Sequence, residues 1–170
     1  MKKIIISDCD GILTDGTSIY TSDGKIGKIY GSYDTEAIKE AHDNGWEFLF
    51  VSNDSNGWPI TRKRLTEYWK RKWCNFNLAS ANDRKELVKA YQKVGYFVVF
   101  VGDSISDIQA GKIADMFCTT NNGFKEVKEN CHFVSDRNGG NGGFAQIIYH
   151  VNEYVTKKVY LKSKLNYYFK

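Results

Sequence analysis

Three short apolar runs, separated by helix-like stretches, limit the possible folds of this chain most strongly. They are KIIIS (3–7), EFLFV (47–51) and FVVFV (97–101). Each run is continuously apolar rather than alternating, which is typical of parallel strands that are buried on both faces of a sheet. Because parallel neighbours need a crossover connection, usually a helix, the pattern predicts a Rossmann-like three-layer α/β/α fold around a mostly parallel sheet.

The stretches between these runs complete the predicted architecture. Helical periodicity predicts helices near 34–43, 59–72, 83–94, 104–112 and 143–156, and weaker strands are predicted at 75–79, 116–119 and 132–134. Residues 17–31 break this rhythm, because two alternating runs flank an Asp-Gly turn, which is a strong signal for a β-hairpin. We expect the hairpin to protrude from the sheet, and no insertion is long enough to form a large cap domain.

Length and composition set the class of protein. A chain of 170 residues suits one domain, and a hydrophobic content of 42% excludes disorder across the whole chain. No apolar run approaches the roughly 20 residues of a membrane-spanning helix. The four cysteines contain no Cys-x-x-Cys pair, so we expect reduced thiols and a cytoplasmic protein. We divide the chain into a domain at 1–153 and a basic, aromatic tail at 154–170.

Two aspartates follow the first apolar run with a single residue between them. In SDCDGILTDG, Asp8 and Asp10 point to the same side if the strand continues, and ligands of open α/β sheets bind at the carboxyl ends of the strands. Two carboxylates this close repel each other unless a cation or a shared proton lies between them. Mg²⁺, which prefers oxygen ligands, is the cation that this arrangement indicates.

The third apolar run ends in the same way. VFVGDSISD places Asp103 directly after the strand and its glycine, and Asp107 follows in the helix that begins there. If this strand lies beside the first, Asp103 can complete the metal site. Asp107 can either reach the same region or cap the helix.

These segments resemble the motifs of the haloacid dehalogenase superfamily. DCDGILTDG is similar to its first motif, FLFVSND to its second and VGDSISD to its fourth. A narrower resemblance, to the capless sugar-phosphate phosphatases typified by 3-deoxy-D-manno-octulosonate 8-phosphate phosphatase, depends on the LTDG extension, the hairpin and the glycine-rich segment at 134–148. The resemblance covers about residues 3–150 and implies the superfamily's fold, a phosphatase activity and a Mg²⁺ cofactor.

The resemblance also implies roles for individual residues. Asp8 corresponds to the nucleophile, which forms an aspartyl-phosphate, and Asp10 to the general acid–base. The implied metal ligands are Asp8, Asp103 and the backbone carbonyl of Asp10. Ser52 corresponds to a residue that hydrogen-bonds a phosphoryl oxygen. Asp107 is expected to support the site without binding the ion.

The third motif of the family contributes a cationic side chain, and the sequence leaves two adjacent positions possible for it. The stretch ANDRKELV offers Arg84 and Lys85, and we favour Lys85 because the resembled family uses a lysine at the start of this helix. We group Lys85 with Ser52 and Asn53 as phosphate-binding residues. Asn53 and Asp54 stand where the family usually has glycine and arginine, so the family's particular sugar acid does not follow from the resemblance.

The predicted function is that of a Mg²⁺-dependent phosphatase acting on a small phosphomonoester, with a phosphorylated sugar or sugar acid as the preferred substrate. A nucleotide or polynucleotide 3′-phosphatase is the first alternative, because the basic stretch at 61–73 and the tail could contact nucleic acid, a less favoured partner. A non-catalytic binding or assembly module is the second, although the retained motif residues argue against it.

The hairpin predicts self-association. Its larger apolar residues would be poorly buried on a monomer: Ile19, Tyr20, Ile26, Ile29 and Tyr30. Pairing with hairpins of other subunits would bury them and bring a neighbouring surface over an otherwise open site. Because the resembled family assembles in this way, the expectation is a homotetramer built around the hairpins.

Overall fold

The structure is a computed structural model that describes the backbone of residues 1–68 and 74–168 and the side chains of residues 1–66 and 75–158. Its strands are β1 Lys2–Asp8, β2 Thr14–Thr21, β3 Gly24–Tyr30, β4 Trp46–Ser52, β5 Cys74–Leu78, β6 Tyr96–Val101, β7 Met116–Thr119 and β8 Phe133–Val134. Its helices are α1 Asp34–Asp43, α2 Trp58–Lys63, α3 Ala81–Lys93, α4 Ile108–Gly111, α5 Lys125–Lys128 and α6 Gly143–Tyr168. A π-helical turn, Arg64–Tyr68, follows α2, and a 3₁₀ turn, Ile105–Asp107, precedes α4.

The sheet confirms the predicted α/β class. In the described part of the chain, six strands form one parallel sheet in the order β5-β4-β1-β6-β7-β8, and β2 and β3 form a separate antiparallel hairpin. Successive residues of the central strand β1 point to opposite faces. Ile5 packs in a core cluster with α1 and α6, whereas Ile4 and Ile6 pack in another with α3 and α4. This is the predicted three-layer sandwich, and the described residues form no large cap.

The helices depart from the predicted bounds, and the helix predicted at 104–112 is divided into the 3₁₀ turn and α4. α3 begins two residues earlier than expected, because Ser80 and Asp83 form a capping box. α2 ends at Lys63 and gives way to the π-helical turn, while 69–72 of the helix predicted at 59–72 lie outside the described residues. α6 crosses the predicted boundary between residues 153 and 154 without a break. No helix within the described ranges is both long enough and apolar enough to cross a membrane.

The hairpin begins at Thr14, three residues before the predicted start. Four of its apolar side chains are exposed: Ile19, Tyr20, Ile26 and Ile29. The expectation for Tyr30 was wrong, because its ring packs against the core and its hydroxyl donates to Thr61 at 3.2 Å. The base of the hairpin is therefore anchored on the domain, and only its outer part is apolar and uncovered in a single copy of the chain.

Candidate active site

The parallel strands bring the predicted motifs to one edge of the sheet. Asp8 ends β1, which lies between β4, ending at Ser52, and β6, which is followed by Gly102 and Asp103. After Asp8 the chain turns sharply away, and Gly11 has a φ of 75° in the left-handed region that favours glycine. A Cβ at Gly11 would lie 1.9 Å from Oδ2 of Asp103. Glycine therefore allows the first motif to approach the fourth.

Three carboxylates converge at this edge. Asp8, Asp103 and Asp107 each offer an oxygen, and these oxygens lie within 4.8 Å of one another. Burial, and then the charge of Asp107, raise the pKa of Asp103 to about 7. The same two causes raise the pKa of Asp8 well above its ordinary value, although Arg84 opposes them. Buried oxygens that repel one another fit a Mg²⁺ ion, which would relieve the repulsion.

Arg84, near the start of α3, is the cation that the structure places against the predicted nucleophile. Its buried guanidinium donates to both carboxylate oxygens of Asp8, with an Nη1–Oδ2 distance of 3.0 Å and an Nη2–Oδ1 distance of 3.2 Å. It also donates to Asp107. The planar guanidinium suits this arrangement, because it can engage two carboxylates at once.

The structure brings Arg84, and not the favoured Lys85, into contact with Asp8. One residue turns an α-helix by about 100°, so the two side chains cannot share a face. Arg84 lies on the same face as buried Val88, four residues on, whereas Lys85 is partly exposed on the side of exposed Lys89. Two signals in the sequence could have identified Arg84 as the inward-facing cation: the capping box at Ser80, which fixes the start of the helix, and the spacing of four residues from Arg84 to apolar Val88.

Asp107 is held by protein donors. Besides Arg84, the backbone N–H of Ser104 at 3.0 Å and its hydroxyl at 2.8 Å donate to the Asp107 carboxylate. These donors agree with the supporting role expected for Asp107. The prediction gave Asp10 a metal-binding role through its backbone carbonyl only. Among the described residues, the side chain of Asp10 lies outside the cluster of three carboxylates.

Asp10 instead faces the second motif and the hairpin. The Ser52 hydroxyl lies 3.4 Å from its Oδ2, and Nζ of Lys28 lies 2.8 Å from its Oδ1. Ser52 is fully buried and accepts the N–H of Asp54 at 3.1 Å. Asn53 is exposed in the loop after β4. Of the two predicted phosphate-binding residues in this motif, only Ser52 is brought next to a predicted catalytic group.

Lys28 was missed by the sequence-based reasoning. It lies on β3, in an alternating hairpin whose lysines have the pattern of solvent-facing residues, and nothing local distinguishes it from Lys25. Its partners are distant in sequence, at Asp10, Asp54 and Thr61. Only the fold brings these groups together.

The glycine-rich segment before α6 packs on the turn of the first motif. The carbonyl of Gly11 accepts from the Thr120 hydroxyl at 3.0 Å and from the Asn122 side-chain amide at 2.9 Å. Asn122 in turn accepts the N–H of Gly139. A Cβ at Gly139 would lie 2.0 Å from the Gly11 carbonyl oxygen, so this segment fixes the first motif only because it lacks a side chain there.

Comparisons with known proteins agree with the motifs. No family model matches the chain. Over 145 residues it is 24% identical to 3-deoxy-D-manno-octulosonate 8-phosphate phosphatase from Haemophilus influenzae, and the alignment covers 85% of this chain and 79% of the relative. A cobalt-bound deoxy-D-mannose-octulosonate 8-phosphate phosphatase from H. influenzae superposes with a TM-score of 0.74 at 25% identity, covering 89% of each chain.

A second solved structure gives the same result with different ligands. The 3-deoxy-D-manno-octulosonate 8-phosphate phosphatase from Moraxella catarrhalis, in complex with magnesium, phosphate and a KDO molecule, superposes with a TM-score of 0.72 at 21% identity. The superposition covers 86% of this chain and 83% of that one. The predicted resemblance to haloacid dehalogenase phosphatases of this type is confirmed, and the metal ions of both structures agree with the acidic cluster found here.

Proposed function

We propose that this chain, which has the fold and the motif order of the haloacid dehalogenase phosphatases, is a Mg²⁺-dependent phosphatase that hydrolyses a phosphomonoester through an aspartyl-phosphate. One observation carries the proposal: Asp8, at the end of the central strand, has Arg84 on both of its oxygens and a second carboxylate, Asp103, beside it. A carboxylate so placed can attack phosphorus, while neighbouring positive charge stabilises the phosphoryl group.

The residues divide the chemistry between them. An oxygen of Asp8 forms the bond to phosphorus, and Asp10 gives a proton to the leaving oxygen. Asp10 then takes a proton from the water that hydrolyses the aspartyl-phosphate. Ser52 hydrogen-bonds a phosphoryl oxygen, and Arg84 takes the charge-balancing role that the sequence had favoured for Lys85. Mg²⁺, when bound, neutralises charge on the transferring phosphoryl group.

The proposed substrate is a phosphorylated sugar or sugar acid. The support is the similarity to two phosphatases whose names specify an eight-carbon sugar acid phosphate, one of which was solved with magnesium, phosphate and KDO. Asn53 is the remaining predicted phosphate-binding residue, and its exposed position at the edge of the site suits contact with a ligand from solvent.

We also propose that the protein is a cytoplasmic homotetramer. Cys9, Cys118 and Cys131 are free thiols, which suits a reducing compartment. Exposure of 46% for Ile19 and 47% for Ile29 leaves an apolar surface on the outer hairpin that association would bury. Replacing both isoleucines with lysine should dissociate the assembly in light scattering while leaving the fold intact. A wild-type particle of 19.5 kDa would contradict the proposed assembly.

The activity is tested with a panel of phosphomonoesters, with Mg²⁺ or with EDTA. The panel contains p-nitrophenyl phosphate, phosphorylated sugars and sugar acids, a nucleotide and an oligonucleotide 3′-phosphate. We expect Mg²⁺-dependent release of phosphate, highest with a sugar or sugar acid phosphate. Preference for the oligonucleotide, with activity that falls steeply with salt, would instead indicate a polynucleotide phosphatase. Absence of turnover on every substrate would refute the proposed activity.

A further inference from the structure

Lys28 is a fully buried cation that reaches the predicted general acid–base from the hairpin. Its Nζ lies 2.8 Å from Oδ1 and 2.9 Å from Oδ2 of Asp10. It also lies 2.9 Å from Oδ2 of Asp54 and donates to the Thr61 hydroxyl at 2.9 Å. The lysine side chain has an exposed fraction of 0%. Lysine is almost never fully buried unless its charge is paired, and here every described contact of the ammonium is to an oxygen.

The loop after β4 is built around this ammonium. Asp54 accepts the N–H of Gly57 at 2.9 Å and also pairs with Lys25. A Cβ at Gly57 would lie 2.5 Å from Cε of Lys28 and 2.1 Å from Oδ2 of Asp54. The backbone therefore packs directly on the ion pair, and a larger residue has no room. The ammonium is held from one side by Asp54 and Thr61, and it holds Asp10 on the other.

The side chain of Asp10 needs such a restraint. It is 33% exposed, and apart from Lys28 the described contact of its carboxylate is a long one, 3.4 Å from the Ser52 hydroxyl to Oδ2. A group that transfers protons must lie within about 2.6–3.2 Å of its partner atom, so a freely rotating carboxylate would spend much of its time out of reach. Contact of one ammonium with both oxygens fixes the carboxylate plane.

We propose that Lys28 is a positioning residue, whose ammonium holds the Asp10 carboxylate in the orientation that serves proton transfer to the leaving oxygen. The inference deepens the proposed phosphatase function and rests on it. It gives the hairpin a role in chemistry within one copy of the chain, separate from any role in assembly. Lys28 acts through Asp10, and it forms and breaks no bond to the substrate.

The test compares kcat/KM for two substrates with opposite demands on a general acid. An alkyl phosphate, such as the best sugar phosphate from the panel, needs a proton on its leaving oxygen, whereas dinitrophenyl phosphate releases a stable anion without one. In K28M, kcat/KM for the alkyl phosphate should fall by about 10- to 100-fold, part of the 10²–10⁴ that general acid catalysis supplies. For dinitrophenyl phosphate it should stay within about threefold. KM for the alkyl phosphate should change less than kcat.

K25M is the matched control. Lys25 lies on the same strand and pairs with the same Asp54, and its described contacts do not include Asp10. We expect K25M to keep the wild-type ratio between the two substrates. Because that ratio is independent of the fraction of active protein, a partly folded K28M sample still gives it. If K28M yields no folded protein, D54N, which loosens Lys28 without removing it, should show the same selective loss to a smaller degree.

The outcomes separate the inference from the function on which it depends. Equal losses on both substrates in K28M, or a K25M ratio shifted as far as that of K28M, would show a purely structural role and overturn the inference. A wild-type enzyme that hydrolyses neither substrate overturns the proposed function itself. Recovery of the alkyl phosphate rate in K28R, relative to K28M, would support a requirement for the cation.

Discussion

Asp8 ends β1 and Asp10 lies two residues on in the turn that follows, yet their surroundings differ in charge. Around Asp8, three carboxylates face one guanidinium, that of Arg84, which leaves two negative charges in excess. Around Asp10, two carboxylates face two ammonium groups, those of Lys28 and Lys25, and the charges balance. With all three carboxylates ionised, a divalent cation would balance the first arrangement, whereas the second is balanced by side chains alone.

This difference separates two tasks that a phosphatase must perform. Repelling carboxylates are costly to bury without a counter-charge, so the Asp8 side is predisposed to bind a metal ion. The Asp10 side is neutral without a metal, and its carboxylate is held by side chains alone. Changes on the two sides should therefore have different consequences.

Removing the carboxylates should have the largest effect. D8N keeps the shape of the nucleophile but cannot form the aspartyl-phosphate, so turnover with Mg²⁺ should be abolished. D10N should lower kcat by a factor of about 10²–10⁴, through loss of proton transfer. Both are measured as phosphate release at saturating substrate. Near wild-type turnover by D8N would contradict the proposed mechanism.

The next effect concerns the cation on the Asp8 side. R84A removes a donor to the nucleophile and leaves the buried carboxylates of Asp8 and Asp107 without their guanidinium, so kcat should fall by about 10²–10³. K85A is the matched control, because the two residues are adjacent on α3 and only Arg84 is buried. K85A should remain within about threefold of the wild type. A larger loss in K85A than in R84A would return the motif-three role to Lys85.

The two sides should also differ in how much their residues contribute to the stabilisation of the fold by Mg²⁺. At a Mg²⁺ concentration about 100-fold above its Kd, the ion should raise the free energy of unfolding by about 2–3 kcal/mol. D103N, which removes a carboxylate on the Asp8 side, should lose most of this increment, whereas D54N on the Asp10 side should retain it. Thermal unfolding with Mg²⁺ and with EDTA measures both. Equal loss in the two variants would show that the charge difference does not govern metal binding.

Much of the fold could be predicted because its signals are local. The three apolar runs became β1, β4 and β6, and the acids at their ends met at one edge. The preference for Lys85 over Arg84 came from a family pattern, and a shift of one residue on a helix moves a side chain to another face. Lys28 could not be found, because its burial depends on Asp10 and Asp54, which only the folded chain places around it.

The smallest expected effect concerns Asp34, a buried carboxylate that lies on neither side of this comparison. Asp34, at the start of α1, is 3% exposed and accepts the N–H of Ala145 at 3.1 Å. Burial raises its pKa to about 7, although Ala145 and the charge of Arg64 oppose the shift. Between the ordinary pKa of 3.8 and about 7, the folded state holds a proton that the unfolded state has released. The free energy of unfolding therefore falls as pH rises through this window, by up to about 1.4 kcal/mol per pH unit.

D34N tests this assignment without touching the proposed metal site. Asparagine keeps an oxygen for the Ala145 N–H but cannot ionise, so its stability should change less between pH 5 and pH 8 than that of the wild type. Urea unfolding of both proteins gives the difference between the two pH profiles, in which Asp8, Asp103 and the remaining groups cancel. Parallel profiles would mean that Asp34 is ionised in the folded protein at pH 5, and that Arg64 and Ala145 outweigh burial. A difference that grows with pH would show that burial outweighs the Arg64 charge and the Ala145 N–H and keeps Asp34 protonated in the folded protein.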